Sequence, residues 1–437
     1  MADDRETLTR QVKEANDVVE VVGAYVALRP VGQTFKGLCP FHDDSRPSFD
    51  VDPRRQRYRC WACGKFGDVF NFIQEIERVG FLEARELLAR RAGITLEKKG
   101  ANSQNEGRAL MLDIVRWAQE QYHRCLLDSP AAEAARRYLG GRGLTDESVR
   151  RFGLGFAPPA GDWLLQRAGR DHVSVDALEK VGLLGKRQEG PGHYDFFRDR
   201  ILFPIRDVQG RPVAFGGRIL PSSPVADRGG KYVNSRETVL FAKSEQLYGL
   251  DLAKQAASKA GYLAVVEGYT DVIAAHQHGV ANVVATMGTA LNARHVKNLR
   301  RFVPRVVLVF DADEGGDTGV DRALQIFVGQ EMDLAITSLP DGLDPCDLLM
   351  QRGPEPFQLA LTSAVHVLDY KLNRILEREA SGGVEGRRRA LDAILGIIAL
   401  APLAPEDQGK ADGPKSQLIV TQIAQRLGVR WETAWAR

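Results

Sequence analysis

Three apolar segments of the sequence are followed by acidic side chains, a pattern typical of a site that binds divalent metal ions. YLAVVEG carries Glu267, and RVVLVFDAD ends with Asp311 and Asp313. The loop after MDLAITSLP carries Asp341, Asp344 and Asp347. Aspartates one residue apart on a strand project to the same side and repel each other unless a cation lies between them. Clustered carboxylates suit Mg²⁺ or Mn²⁺, which keep several waters and bind substrate phosphates as well.

The pair Asp311 and Asp313 also has an interpretation that needs no metal. FDADEGG is compatible with a solvated strand-to-helix loop in which Asp313 or Asp317 is the N-cap of the next helix. Gly268 and the glycines at 315–316 permit tight turns and the close approach of a phosphate-bearing ligand. The surrounding acidic residues favour the metal site.

Four residues near the N-terminus have the spacing of a zinc site. Cys39 and His42 form a C-x2-H pair, Cys60 and Cys63 form a C-x2-C pair, and residues 43–59 separate the two pairs. Each pair places two ligands on one tight turn, and the segment between them can form a hairpin that returns to the ion. Because four protein ligands fill a tetrahedral shell, we predict one structural Zn²⁺. The alternative is three buried cysteines beside an unrelated histidine.

The second pair lies in RRQRYRCWACGK, where basic and aromatic residues are interleaved. Cations that follow phosphates and rings that stack on bases are typical of single-stranded nucleic-acid binding. Tyr58 and Trp61 are therefore candidate stacking residues, and a charged, solvated hairpin is the alternative. The basic residues are Arg54, Arg55, Arg57, Arg59 and Lys65.

The elements that carry these residues change along the chain. Helical spacing of apolar residues predicts helices on both sides of the cysteine cluster and again from about residue 108. Short Gly- and Pro-punctuated segments then predict mixed α+β structure with hairpins. From Gly261 onward, apolar runs alternate with helical segments, which predicts a mainly parallel sheet covered on both faces. Ligands gather beyond the carboxyl ends of such strands, where the acidic residues lie. Past Pro354 the pattern is helical.

Length and composition set the broad class. A chain of 437 residues with 44% hydrophobic and 27% charged residues is typical of a globular protein with roughly two to four domains. No apolar run approaches a membrane span and the N-terminus lacks a secretory signal, so we expect a cytoplasmic protein without membrane partners. A net charge of +2 leaves nucleic-acid binding to local basic patches. Cysteines outside the cluster, Cys125 and Cys346, fit a reducing compartment.

Several motifs together resemble a known family. EGYTD, MGTAL and FDAD occur in this order and resemble the toprim domain of bacterial primases, type IA and II topoisomerases and some nucleases. GLCPFHDDSRPSF and YRCWACGKFGD resemble the zinc-binding domain of bacterial DnaG-type primases. FRDRILFPIRD, VAFGGR and KYVNSRETVLFAKSEQLYGL resemble the basic half of their polymerase core. The chain is therefore identified as a member of this primase family from about residue 10 onward.

The resemblance implies a multidomain protein of the α/β and α+β classes. We expect an N-terminal zinc ribbon, a mixed α+β basic subdomain, a toprim subdomain with a Rossmann-like, mainly parallel sheet, and a C-terminal helical subdomain. The polar, aperiodic EKKGANSQNEG predicts a linker after the first of these. The expected ranges are 1–97 for the zinc-binding domain, 98–107 for the linker, 108–258 for the basic subdomain, 259–350 for the toprim subdomain and 351–437 for the helical subdomain.

The resemblance also implies roles for residues at matching positions. Glu267 is expected to ligate a metal or to act in proton transfer, and Asp271 is expected to be an acidic residue of the same site. The residues expected to bind Mg²⁺ or Mn²⁺ are Glu267, Asp311, Asp313 and Asp344, with Asp347 as a further candidate. Those expected to contact template and nucleotide phosphates are Arg142, Arg218, Lys231, Asn234 and Lys243.

Two features depart from the family pattern. Relatives have D-P-D after the fourth strand, whereas this chain has Asp344-Pro345-Cys346-Asp347. Either Asp347 takes the second role or one metal ligand is lost. The loop after FDAD is DEGGDTG, where relatives often carry basic residues, so this turn is a weaker candidate for direct phosphate binding.

The activity that the resemblance implies is DNA priming. We expect a DNA-directed RNA polymerase that makes short RNA primers from ribonucleoside triphosphates on a single-stranded DNA template, by metal-dependent nucleotidyl transfer. The expected partners are the replicative DNA helicase and single-strand binding protein, within the nucleoid and replisome. Relatives continue into a helical domain that docks on the helicase, and we expect that domain to be absent or removed here.

Three alternatives to a primase are open. A toprim topoisomerase or nuclease acts on the same chemistry, but a topoisomerase needs a nucleophilic tyrosine on a separate domain, and no candidate is evident. A primase fused to a helicase needs G-x-x-x-x-G-K-[ST], which the sequence lacks. A zinc-bearing single-stranded DNA-binding protein with an inactive toprim site is favoured only by Cys346.

Overall fold

The chain divides into two compact units in the computed structural model. One unit comprises residues 1–246 with 250–252, and the other comprises residues 247–249 with 253–437. No helix in the described ranges is long and apolar enough to cross a membrane. The structure describes residues 2–77, 79–96, 103–187, 190–224, 230–288, 290–310, 317–330, 332–379, 383–400 and 414–436.

The first part of the first unit, here called the N-terminal module (residues 2–96), contains a five-stranded antiparallel sheet in the order β1-β2-β3-β4-β5. Phe49, Tyr58 and Phe72 are buried at its centre, and the predicted helices on both sides of the cysteine cluster are confirmed. The helices are α1 (Ala2–Glu14), α2 (Val18–Gly23), α3 (Val69–Glu77) and α4 (Phe81–Arg91). The strands are β1 (Arg29–Val31), β2 (Thr34–Gly37), β3 (Phe49–Asp52), β4 (Arg57–Cys60) and β5 (Phe66–Gly67).

The remainder of the first unit, here called the middle module (residues 103–246), contains a four-stranded sheet in the order β11-β10-β9-β6. The predicted hairpin is β9 paired antiparallel with β10. Its helices are α5 (Ser103–Asp128), α6 (Glu133–Gly141), α7 (Asp146–Phe152), α8 (Trp163–Arg170) and α9 (Val175–Lys180). Its strands are β6 (Gly155–Ala157), β7 (Leu184–Lys186), β8 (His193–Asp195), β9 (Arg200–Arg206), β10 (Pro212–Ile219) and β11 (Tyr232–Asn234).

Helix α5 starts inside the segment predicted to be a linker. It begins at Ser103, so residues 103–107 are helical, while residues 97–102 lie outside the described part of the chain. The segment is polar and contains Gly107, so apolar periodicity does not predict a helix there. A polar helical turn needs no apolar stripe of its own, because the buried residues of the same helix further along the chain hold it in place.

Asp195, at the end of β8, caps helix α8 from a distant part of the chain. Its Oδ2 accepts the N–H of Leu164 at 2.6 Å, and its Oδ1 accepts the N–H of Leu165 at 3.2 Å. The side chain is only 1% exposed. Burial raises the pKa of Asp195 to about 6, although the two amide donors oppose the shift.

Asp195 gives a prediction for the pH dependence of stability. Because its folded pKa lies above the ordinary value of 3.8, the stability associated with the protonated form is lost as the pH rises toward 7. Asp195→Asn removes this ionisation. We expect its free energy of unfolding, relative to wild type, to rise by about 2–3 kcal/mol between about pH 4 and pH 7.5. Urea unfolding at several pH values measures the difference, and a difference that is constant with pH would contradict the effect of burial.

The second unit contains a five-stranded sheet in the order β13-β12-β14-β15-β16. Its strands are β12 (Tyr262–Val266), β13 (Val283–Ala285), β14 (Arg305–Phe310), β15 (Asp333–Ser338) and β16 (Val365–His366). Its helices are α10 (Leu250–Ala260, of which residues 253–260 belong to this unit), α11 (Tyr269–Gln277), α12 (Ala293–Leu299), α13 (Asp317–Gly329), α14 (Pro345–Arg352), α15 (Pro354–Thr362), α16 (Val367–Glu379), α17 (Gly383–Ala399), α18 (Pro414–Leu427) and α19 (Trp431–Trp435).

The predicted β-α alternation of this unit is confirmed. Strands β13, β12, β14 and β15 are mutually parallel, and β14 pairs with β12 on one side and with β15 on the other. The short strand β16 was not predicted, because the sequence past residue 354 is otherwise helical. It pairs antiparallel with β15 and covers that edge of the sheet, which protects the unpaired backbone groups.

Candidate functional sites

The four predicted zinc ligands lie together in the N-terminal module. One ligand atom from each of Cys39, His42, Cys60 and Cys63 lies within 4.8 Å of the others. The hairpin β3–β4 pairs Phe49 with Cys60 and so returns the chain to the first pair. The Sγ atoms of Cys39 and Cys63 are 3.8 Å apart. Zn–S bonds of about 2.3 Å in a tetrahedron place two sulfurs roughly 3.8 Å apart, so the cluster fits zinc.

Asp44 organises the residues around this cluster. It is buried, and its Oδ2 accepts the N–H of Cys39 and the hydroxyl of Ser48, both at 2.7 Å. Its Oδ1 lies 3.7 Å from Nε2 of His42, whose Nδ1 faces Cys60 at 3.9 Å. A carboxylate behind a histidine ligand fixes the ring orientation and raises the basicity of the ligating nitrogen.

Asp44→Asn is expected to weaken zinc binding without abolishing it. The amide keeps the size of the side chain but removes the charge behind His42 and one of the acceptors for Cys39 and Ser48. Loss of such a supporting contact lowers metal affinity by about 10- to 100-fold. Competition with a chromophoric chelator measures the change, and an affinity equal to wild type would show that Asp44 does not support the ligands.

One face of the N-terminal sheet carries exposed basic and aromatic side chains. Cross-strand register aligns Lys36, Asp50, Arg59 and Phe66 in one row. Trp61 is 63% exposed, lies 4.0 Å from the Arg59 guanidinium and donates from Nε1 to Asp50 at 2.9 Å. Phe66 is 68% exposed and was missed in the sequence, where it stands alone outside the basic run.

The prediction that Tyr58 is a stacking residue is wrong. Its side chain is 2% exposed, and its ring packs against Phe41, Phe49 and Phe72. Residues alternate between the two faces of a strand, and Arg57 and Arg59 occupy the exposed face of β4, so Tyr58 points into the core.

The acidic residues of the second unit lie at the carboxyl ends of its parallel strands. Glu267 follows β12 and is exposed, while Asp344 and Asp347 follow β15 and are half-buried. Asp311 and Asp313 lie outside the described residues; β14, which precedes them, lies between β12 and β15. In a parallel sheet these strand ends share one edge, so the order of strands is the one that the predicted metal site requires.

Asp271 connects two of these strand ends. Its Oδ2 accepts the N–H of Gly268 at 3.0 Å, which closes the turn after Glu267. Its Oδ1 accepts the N–H of Cys346 at 3.3 Å, in the first turn of α14. The side chain is 7% exposed. Asp271 therefore holds the Glu267 turn against the start of α14, where Asp344 lies.

The segment that departs from the family's D-P-D pattern lies at the start of α14. Asp344 is the N-cap of α14 and accepts the N–H of Asp347 at 2.6 Å. The Cys346 side chain is 1% exposed, whereas Asp347 is half-buried. Asp341 forms an exposed ion pair with Arg352, away from this turn.

Asp271→Asn tests whether Asp271 holds the Glu267 turn and the start of α14 together. Asparagine can accept one of the two amide hydrogens but places an NH₂ group against the other, so one buried donor is left unpaired at a cost of about 1–3 kcal/mol. We expect weaker Mn²⁺ binding and a lower melting temperature for Asp271→Asn. Calorimetric Mn²⁺ titration and thermal unfolding measure both, and a variant with unchanged melting temperature would show that Asp271 does not hold the turns together.

A cavity of about 360 Å³ opens beside the strand ends. Its polar lining comes from Glu267, Thr286 and Arg322, and its apolar lining from residues of β12, β14 and α13. Arg322 was missed in the sequence because α13 carries no motif at that position. A guanidinium in the same cavity as a carboxylate can bind phosphate oxygens that approach the carboxyl edge.

In the middle module, Arg218 is held between two tyrosine rings. It lies on β10 opposite Tyr232 of β11, and its guanidinium carbon is 5.1 Å from that ring and 4.9 Å from the ring of Tyr138. Its Nε and one Nη are buried and have no hydrogen-bond acceptor among the described residues. Neither tyrosine was singled out in the sequence, because the pairing of β10 with β11 and the packing of α6 bring them together.

The other predicted phosphate contacts lie in the same unit. Lys231 precedes β11 and is exposed, and Asn234 ends that strand opposite Gly216. Arg142 is half-buried after α6, the helix that carries Tyr138. Lys243 is half-buried in a separate loop, where its N–H donates to Glu237 at 3.2 Å.

Comparison with known proteins identifies the family of the chain. Family models match at residues 5–104 (CHC2 zinc finger), 122–254 (DNA primase catalytic core, N-terminal domain) and 264–349 (Toprim-like). The chain is 35% identical to a DNA primase of Clostridium acetobutylicum, over 97% of this chain and 68% of that protein. The chain belongs to the DNA primase family. A primase of Pseudomonas aeruginosa is 38% identical over 93% of this chain and 60% of its own length.

Solved primase structures are similar along most of the chain. A primase domain from Pseudomonas aeruginosa has a TM-score of 0.65 at 35% identity and covers 74% of this chain and 98% of its own. The zinc-binding and RNA polymerase domains of the Aquifex aeolicus primase also have a TM-score of 0.65, at 26% identity, and cover 98% of this chain and 99% of theirs. A DnaG primase catalytic domain bound to single-stranded DNA has a TM-score of 0.63 at 32% identity, over 75% and 99% of the two chains.

Two predictions are confirmed by these findings. The chain is a member of the primase family with a zinc ribbon and a mainly parallel toprim sheet, and the CHC2 zinc-finger match together with the cysteine and histidine cluster supports a structural zinc ion. This primase-family chain spans about 60% of the length of several curated relatives that it matches.

Proposed function

We propose that the chain is a DNA primase, a DNA-directed RNA polymerase that joins ribonucleotides into short primers on single-stranded DNA. The observation that carries this proposal is the link made by Asp271, which holds the Glu267 turn against the N-terminus of α14. Two acidic turns that are distant in sequence are thereby kept at one edge of the sheet. This arrangement supports a metal-dependent phosphoryl-transfer site with Glu267, Asp311, Asp313, Asp344 and Asp347 around it.

The carboxylates fit Mg²⁺ or Mn²⁺, because all of them are hard oxygen donors and Glu267 is exposed to incoming ligands. When bound, such ions stabilise the negative charge that develops on the attacking and leaving oxygens. Glu267 and Asp344 would hold them, together with Asp311 and Asp313. In this proposal Asp271 is a positioning residue, since its two oxygens already accept backbone amides.

Basic residues of the middle module would bind the phosphates of template and nucleotides. Tyrosine rings lie on two sides of the Arg218 guanidinium and restrict its rotation. Its second Nη is therefore oriented before a ligand binds. Preorganised donors lose less entropy on binding than free side chains do. Lys231 and Asn234 lie beside it, and Arg142 and Lys243 are further candidates in the same unit.

The exposed face of the N-terminal sheet is proposed to contact single-stranded DNA. Trp61 and Phe66 offer ring faces, and Arg57 and Arg59 offer cations on the same side. Stacking of a base on an exposed ring contributes about 1–3 kcal/mol and tolerates any base, which suits template binding. The DNA-bound catalytic domain among the similar structures is consistent with this substrate.

The wider context is also part of the proposal. We expect a replicative helicase and single-strand binding protein as partners and the cytoplasmic nucleoid as the location. The domain ranges proposed are 1–97, 98–107 for the linker, 108–258, 259–350 and 351–437. Helix α5 begins at Ser103, so it includes the last five residues of the linker range.

A primer-synthesis assay tests the proposed function. The full chain is incubated with single-stranded DNA, four ribonucleoside triphosphates, one of them labelled, and Mg²⁺, and the products are separated on a denaturing gel. We expect short labelled RNA that disappears when the template, Mg²⁺ or the enzyme is omitted. Template binding without any RNA product would instead favour a single-stranded DNA-binding protein with an inactive toprim site.

A further inference from the structure

A largely buried cluster of charges joins the N-terminal module to the middle module. Arg211, in the turn between β9 and β10, donates to both carboxylate oxygens of Glu77, at 3.1 and 2.9 Å. Its Nε donates to Asp207 at 2.6 Å. The Arg211, Glu77 and Asp207 side chains are 17%, 6% and 13% exposed. Glu77 ends helix α3 of one module, whereas Arg211 and Asp207 belong to the other.

Each carboxylate of the cluster is also fixed within its own module. The Tyr25 hydroxyl donates to Glu77 at 2.6 Å, and the N–H groups of Gln209 and Arg211 donate to Asp207 at 3.0 Å. Burial raises the pKa of Tyr25 well above its ordinary value, so Tyr25 stays a donor. Contacts within each module already fix these two carboxylates. Arg211 therefore bridges two immobilised acceptors rather than two mobile side chains.

A second pair spans the same two modules but is solvated. Arg90 of α4 lies 3.4 Å from Asp113 of α5, and their side chains are 45% and 47% exposed. Exposed pairs are screened by water and contribute little. Removal of one partner from a buried cluster leaves the other charge without compensation, which strongly disfavours the docked arrangement. Of these two contacts, the Arg211 cluster is therefore the one expected to contribute more to docking.

We infer that Arg211 couples the two modules, so that zinc binding to the N-terminal module stabilises the β9–β10 hairpin of the middle module. A ligand that binds only the folded form stabilises every segment that unfolds together with its site. Zinc binding is linked to folding of its module. The bridge from Glu77 through Arg211 to Asp207 extends that stabilisation to the hairpin, whose strand β10 carries Arg218.

Hydrogen exchange measured by mass spectrometry on the full chain tests this coupling. Exchange in peptides that cover residues 200–219 is compared before and after zinc is removed with a chelator. In the wild type we expect zinc removal to speed exchange at the hairpin turn by at least about tenfold and to lower the melting temperature of the middle module by roughly 5 °C. No change in either quantity on zinc removal would overturn the inference.

Variants separate the bridge from a general loss of folding. Glu77→Gln removes the charge on the N-terminal side, leaves the Arg211–Asp207 pair intact, and keeps an oxygen for Tyr25. We expect its hairpin to exchange fast with zinc present and to respond little to chelation, while zinc content stays at one ion per chain. Arg90→Met, which breaks the exposed pair, is the matched control and should keep the wild-type response.

Two further outcomes decide the inference. Arg211→Met combined with Glu77→Gln should lose less stability than the two single losses added together, because the charges that the first change leaves unpaired are partly removed by the second. Strictly additive losses would contradict a direct bridge. The zinc response should also be independent of protein concentration, and a response that grows with concentration would mean that the contact joins different copies of the chain. None of these measurements depends on catalytic activity, so the inference and the proposed function can fail separately.

Discussion

Glu267→Gln is expected to reduce primer synthesis by at least about 10³-fold while leaving the fold unchanged. Glutamine has the size of glutamate but lacks the charge that would hold a divalent ion at the end of β12. Glu267 is exposed and follows the strand rather than packing within it, so its replacement creates no cavity. The same assay that detects primers on single-stranded DNA measures the loss, and the melting temperature reports on the fold.

A matched control shows whether the loss of activity is specific to Glu267 or follows from removing any carboxylate near the strand ends. Asp341 is a carboxylate of the loop after β15, but it pairs with Arg352 in an exposed contact. Asp341→Asn should therefore keep nearly full activity. If Glu267→Gln retained wild-type primer synthesis, or if both variants lost activity equally, the assignment of Glu267 to the metal site would be wrong.

Cys60→Ser is expected to lower the zinc content from about one ion per chain to a small fraction of that value, and to unfold the N-terminal module. The binding of structural zinc contributes about 10–16 kcal/mol to the folding free energy of zinc-finger peptides, which are unfolded without the metal. Cys60 is fully buried, and a serine hydroxyl is a poor replacement for a thiolate ligand. Elemental analysis after dialysis gives the zinc content, and circular dichroism reports the loss of structure.

Cys125→Ala is the control for this substitution. Cys125 is buried in α5 of the middle module, remote in sequence from the four ligands. Its removal should leave the zinc content at one ion per chain. A Cys60→Ser protein that still contains a full equivalent of zinc would refute the ligand set.

The zinc ligands and the β-α alternation of the toprim subdomain could be predicted from the sequence because both depend on local spacing. A C-x2-C pair forms its turn with few demands on the rest of the fold, and apolar runs between helical segments predict parallel strands. The family resemblance then identified Glu267 and Asp344 as candidates. The placement of Glu267 directly after β12 agrees with the sequence prediction, as does that of Asp344 in the loop after β15.

Other features depend on contacts between distant residues, which spacing does not encode. Tyr58 looked like a surface residue because arginines flank it, but strand alternation turns it into the core. The sequence indicated only that Asp271 is an acidic residue of the same site, and the approach of α14 shows that its oxygens accept the N–H groups of Gly268 and Cys346. The contact of Arg211 with Glu77 joins residues that are far apart in sequence and carry no motif.

The central claim is that carboxylates from separate strand ends bind divalent ions at the carboxyl edge of the parallel sheet. Anomalous diffraction from crystals of the chain soaked in Mn²⁺ tests it most directly, with the zinc signal at Cys39, His42, Cys60 and Cys63 as an internal standard. We expect a manganese peak within coordination distance of a carboxylate oxygen of Glu267 or Asp344, about 2.0–2.3 Å. A map with the zinc peak but no manganese at either residue would contradict it.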